Sequence, residues 1–202
     1  MKLPVLASVI LFILVLGHSI RRQRRITEKD TRSFWAREAE ANATRRKPLD
    51  KLDYIHIPME DFPTETMSED VQVKDCIEML QSLSDRKIVN LTGFTNTDLK
   101  LEYGAPNITE LTEYDQNYTL LVRTLQNWAD LLWENGYQKE AAVIMEFAIK
   151  THTDISRTYY KLAEYWRSTG EASRIGSLID IADTLRSANK NVILRTLKEK
   201  YL

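Results

Sequence analysis

A single cysteine, three histidines, six glycines and five prolines in 202 residues leave little room for several kinds of chemistry. One thiol, Cys76, forms no internal disulfide and no metal cluster. Val73, Cys76, Ile77, Leu80 and Leu83 fall on one helical face, so the thiol reads as a buried apolar group. A nucleophilic thiol would want an imidazole close by. His18, His56 and His152 stand in no paired spacing. There is no Gly-rich phosphate loop, no Gly-x-Ser-x-Gly elbow, no His-Glu-x-x-His and no Cys-x-x-Cys. The adjacent carboxylates Glu69 and Asp70 suit a helix start, where the dipole favours negative charge. The expectation is a protein that is not an enzyme and takes no cofactor or metal. With Pro and Gly scarce and Leu, Ala, Glu, Lys and Arg abundant, the expected class is all-α.

Long apolar runs are also scarce, with one exception. Leu3 to Leu16 is apolar apart from Pro4 and Ser8. Extended to Ile20 the run reaches 18 residues, roughly 27 Å as a helix, just enough to span a hydrocarbon core. A cleavable signal peptide is the competing reading, but no A-x-A site follows and Arg21, Arg22, Arg24 and Arg25 come at once. Arginines stay on the cytosolic side. Residues 1–20 are therefore expected to be a retained transmembrane helix, with the body in the cytosol.

Charge is divided along the chain. Residues 21–47 carry ten Lys or Arg against four Asp or Glu, a balance of +6; from Pro48 onward 17 face 25, a balance of −8. A basic collar beside an apolar segment, ahead of an acidic body, is a membrane-protein layout and not a nucleic-acid one. Residues 21–47 read as a basic juxtamembrane helix ended by Pro48. Its arginines set topology, or grip anionic headgroups. Four N-x-[S/T] sequons, at Asn42, Asn90, Asn107 and Asn117, would matter as glycan acceptors only outside the cytosol, and equally suit turns and caps.

Residues 48–113 mix Pro48, Pro58 and Pro63 with many apolar side chains, too many for a free linker. They are expected to be an extended segment with one helix, starting at Ser68-Glu69-Asp70 and running to about Leu83, that docks on the rest. Within them Ile88 to Leu91 reads as a short strand or extended run, and Asn96 to Tyr103 as a short helix stopped by Gly104.

From Asp115 the helical pattern is strong, and residues 114–202 are expected to form a helical domain. Leu121, Leu125, Trp128, Ala129 and Leu132 mark one helix, and Ala141, Ile144, Met145 and Ala148 the next, apolar nearly all round. Tyr159, Leu162, Ala163 and Trp166 mark a third; Ile175, Leu178, Ile179, Ala182 and Leu185 a fourth; Ile193, Leu194 and Leu197 a fifth. Ala129 and Ala163, Gly136 and Gly170, and Ala148 and Ala182 each stand 34 residues apart. This pattern resembles tetratricopeptide repeats, whose unit of that length alternates large and small residues at set positions. Units beginning at Val122 and Ser156 place Leu125, Trp128, Ala129, Leu132, Gly136, Ala141, Met145 and Ala148 in register with Tyr159, Leu162, Ala163, Trp166, Gly170, Ile175, Ile179 and Ala182. Ile175 departs from the usual Ala, and there is no Pro at the end of the unit. The fifth helix falls where a capping helix would lie. The layout is also similar to bacterial proteins with one N-terminal span and a C-terminal tetratricopeptide region, a likeness that carries no activity with it.

The resemblance implies a concave face lined by the first helix of each unit. Its positions here are Arg123, Gln126, Asp130 and Trp133, then Arg157, Tyr160, Glu164 and Arg167. These are the candidate partner-binding residues, for a protein or peptide. Trp133 and Tyr160 are interface-anchoring types; Asp130 and Glu164 argue against a dedicated carboxylate clamp. Residues 48–113 would either fill that face or leave it open. The expected function is a membrane-anchored protein–protein interaction module. The alternative is a structural membrane protein that builds a homo-oligomer without a foreign client.

Overall fold

A computed structural model describes residues 3–201; within the first helix the side chains of residues 3–11, 13–15, 20, 21 and 24–29 lie outside the description. The described residues form eight α-helices: α1 (Leu3–Ala43), α2 (Val71–Ser84), α3 (Asn96–Tyr103), α4 (Ile108–Glu134), α5 (Gln138–Lys150), α6 (Ser156–Ser168), α7 (Ile175–Thr184) and α8 (Lys190–Lys200). Among them the sole β pairing is an isolated antiparallel bridge between Tyr54 and Val89, so the class is all-α. Among the described residues no helix is long and apolar enough to cross a membrane. The side chains that carry the expectation of a span, from Leu3 to Leu16, lie largely outside the described residues.

The chain forms two compact units. The first joins α1 and the residues up to Lys47 with residues 95–108; the second holds residues 48–94 and 109–202. In the first unit, α3 starts with a capping box in which Thr95 and Asp98 satisfy each other's backbone N–H. Arg37 pairs with Asp98 at 2.5 Å, and Glu38 accepts from Lys100 and Thr97 at 2.6 Å each. α1 stops at Ala43, five positions ahead of Pro48. Proline is not what ends it. The Ala105 N–H donates to Thr44 O and the Lys47 N–H to Tyr103 O, both at 3.1 Å, so residues 44–47 run as a strap along the end of α3. The far end of the basic segment is thus bolted by ion pairs and is more than a solvated spacer.

In the second unit, α2 starts one turn of chain later than Ser68. Asp70 is its cap, accepting from Gln72 N at 2.9 Å and Val73 N at 3.1 Å. Val73, Cys76, Leu80 and Leu83 are its buried face, and burial pushes the Cys76 thiol pKa up, away from reactivity. Ahead of α2 the proline-rich segment sends Phe62 into the core, edge-on to Trp128 at 5.8 Å and to Phe147 at 5.2 Å. α4 begins at Ile108, a turn or two before the sequence pattern becomes strong, because Leu111, Tyr114 and Asn117 face inward among polar neighbours. α5 and α6 pack together, as do α6 with α7 and α8.

Residues 34 apart occupy like environments. Leu125 and Tyr159, Trp128 and Leu162, Ala129 and Ala163, Leu132 and Trp166, Ala141 and Ile175, and Ala148 and Ala182 are all buried. Gly136 and Gly170 both take left-handed φ, 88° and 83°, at the turn after α4 and after α6. Ile175, the departure from the small-residue pattern, is accommodated at full burial. α5 is less enclosed than its composition suggests: Val143 is exposed.

Candidate functional site

Six of the eight candidate residues enter a continuous run of contacts across α4, α6 and α8. Gln126 Oε1 accepts from Thr158 Oγ1 at 2.5 Å. One turn on, Asp130 accepts from Lys161 at 2.6 Å and from Arg157 at 3.0 Å. Lys161 also lies over the Trp133 ring, 5.4 Å from its centre. Tyr160 stacks on Tyr201, centres 6.3 Å apart, and Arg167 donates to Lys200 O at 2.9 Å. Arg123 and Glu164 are exposed and flank this run without joining it.

The 3.6-residue turn explains the arrangement. Gln126, Asp130 and Trp133 are one turn apart on α4, as are Arg157, Tyr160, Glu164 and Arg167 on α6, so two parallel ladders face the same way. The two cations on Asp130 are unequal. Arg157 is 64% exposed in its side chain and Lys161 19%. The screened Arg157 pair contributes little, and the Lys161 pair carries most of what the site gains. Sequence reasoning missed Lys161, Thr158 and Tyr201, because each answers a residue about 30 or more positions away and no local pattern marks it. The 34-residue period offers one clue: Lys161 is the repeat equivalent of Asn127, which lies three positions before Asp130.

Burial pushes the Asp130 carboxyl up, but Lys161 and Arg157 pull it further down, to a net value below the ordinary one. The buried Gln126 amide nitrogen adds to that pull, although it makes no full hydrogen bond. A carboxylate with a depressed pKa stabilises the fold fully above the unfolded value, about pH 4, and loses that contribution as pH falls through the folded value beneath it. Asp130→Asn should therefore flatten the acid side of the stability profile. Urea midpoints measured at pH 7 and pH 3 should differ less in the variant than in the parent.

The ring contacts of the proline-rich segment go from Phe62 to Trp128 and Phe147 and from Tyr54 to Tyr114, whereas the ring contact of Tyr160 goes to Tyr201. The site is a polar and aromatic surface whose anchors are held by intramolecular partners and whose rim is charged. No cluster of His, Cys, Asp or Glu suited to a metal ion occurs among the described residues. No family model matches the sequence, and no curated protein or solved structure is significantly similar to it.

Proposed function

We propose that the chain is a membrane-anchored interaction module: residues 1–20 span the bilayer, the body is cytosolic, and a pair of tetratricopeptide-like hairpins with α8 as cap presents the α4–α6 face to a protein or peptide. The observation that carries this reading is the prearranged state of that face. Trp133 and Tyr160 are half-buried and already fixed, by Lys161 and Tyr201 respectively, while Arg123, Arg157, Glu164 and Arg167 remain exposed around them. Aromatic anchors with few rotamers left to lose, inside a polar rim, are what an interface core needs. The 34-residue pairs with matching burial support the repeat reading. The arginines after Ile20 support the orientation.

The test is a double variant. Trp133→Ala with Arg157→Glu should weaken capture of a partner cross-linked to this face in native membranes by tenfold or more, about 1.4 kcal/mol, with helical circular dichroism unchanged. The fold should survive because Asp130 keeps Lys161. If the same changes instead dissolve a self-assembled species seen by light scattering, the homo-oligomer is the better reading. A reporter that is active only outside the cytosol, fused after Leu202, should stay silent.

A further inference from the structure

The four sequons are not equivalent in the fold. Asn42, on α1, is exposed. Asn107 is 0% exposed, and its Nδ2 donates to Lys47 O at 2.7 Å and Tyr103 O at 2.8 Å while its Oδ1 accepts from Arg46 Nε at 2.7 Å. Both amide hydrogens are spent on main-chain carbonyls. Asn117 is 6% exposed, and its Nδ2 donates to Lys87 O at 3.0 Å. Asn90 is only half-buried, and what closes it is bonding and not enclosure: its Nδ2 donates to Tyr118 Oη, Thr151 O and His152 O, at 2.8, 3.0 and 3.2 Å, joining the chain after α2 to the turn between α5 and α6.

We infer that Asn90, Asn107 and Asn117 are structural amides closed to N-glycosylation, that Asn42 is the sequon the fold leaves open to a sugar, and that a sugar on any of the other three holds the chain out of its native fold. Glycosyl transfer forms a bond from Nδ2 to the anomeric carbon of a diphosphate-activated sugar, breaks that carbon's bond to the diphosphate, and releases one amide proton. The product keeps a single N–H and gains a hexose of about eleven heavy atoms, far larger than the space around the buried Asn107 and Asn117 side chains allows, while at Asn90 it would break the bonds that hold the turn after α5. At Asn107 one of two buried carbonyls would lose its donor as well. Such a sugar is tolerated only before folding. A body with these three amides completes its fold where sequons are not modified during synthesis, which gives the proposed cytosolic orientation a structural reason independent of partner binding.

The test uses the full chain in detergent micelles, a soluble N-glycosyltransferase and UDP-glucose, with sites read by mass spectrometry. Added to the folded chain, the enzyme should modify Asn42 alone. Present during cell-free synthesis, it should also reach Asn90, Asn107 and Asn117, and those chains should lose the native circular dichroism and protease resistance. A Thr92→Ala, Thr109→Ala, Thr119→Ala variant, which keeps all three amides but removes their sequons, should fold normally in the same synthesis. Glucose on Asn90, Asn107 or Asn117 of the folded chain overturns the inference, as does native protease resistance in chains carrying it there. Neither result bears on whether the α4–α6 face binds a partner.

Discussion

Trp128→Ala should cost about 3–5 kcal/mol, a large share of the roughly 5–15 kcal/mol that typically separates folded from unfolded domains. Trp128 is fully buried in α4 and meets Phe62 edge-on, so it joins the proline-rich segment to the hairpins. Truncation removes the indole and leaves Phe62 without that ring neighbour. The urea midpoint of unfolding should fall accordingly, and residues near Phe62 should become open to protease first. Trp128→Phe should cost less than the alanine variant. It keeps an aromatic edge for Phe62 and removes an indole N–H that is buried without a partner. Equal losses for the two variants would mean that ring packing is not what the site requires.

Gly104→Ala should be nearly as damaging, in the other unit. Gly104 takes φ 94°, a left-handed value that costs an L-residue about 1–2 kcal/mol. An added methyl would also overlap the Arg45 carbonyl oxygen and lie 2.8 Å from its carbon and 2.9 Å from Arg46 Cα, all main-chain atoms that cannot swing aside. The two penalties together should exceed about 2 kcal/mol. Hydrogen exchange should report the loss locally: the Ala105 and Lys47 amides, which bond across the strap, should lose protection. Gly136→Ala is the control. Its φ is 88°, yet a Cβ there meets nothing within 4 Å, so only the conformational cost should register. If the two variants lose equal stability, the close approach at Arg45 is not a constraint.

Much of the helical pattern is legible in the residues because it depends on neighbours in sequence. The buried faces of α2 and α4 to α8 follow a 3.6-residue period, and Gly104, Gly136 and Gly170 end helices because a left-handed residue is available there. The candidate site is half legible. Gln126, Asp130, Trp133, Arg157 and Tyr160 can be placed on two helix faces from spacing, but spacing is silent on what each would touch. Asp130 reads as an unpaired carboxylate opposing an acidic ligand; in the fold Lys161 and Arg157 neutralise it, and the surface it belongs to is less acidic than its residue list suggests.

Sequence alone determined the helical class, the glycine stops and the 34-residue pairing, since backbone propensity and local periodicity act over a few residues at a time. Tertiary structure decided where α1 ends, because a strap of main-chain hydrogen bonds to α3 competes successfully with one more helical turn. It decided that Phe62 is a core residue and that α4 begins at Ile108, since burial depends on what arrives from elsewhere in the chain. It also divided four N-x-T sequons into one open amide and three closed ones, which no motif can do: a carbonyl such as Lys47 O, 60 positions away in the chain, reaches Asn107 only once the chain has folded back.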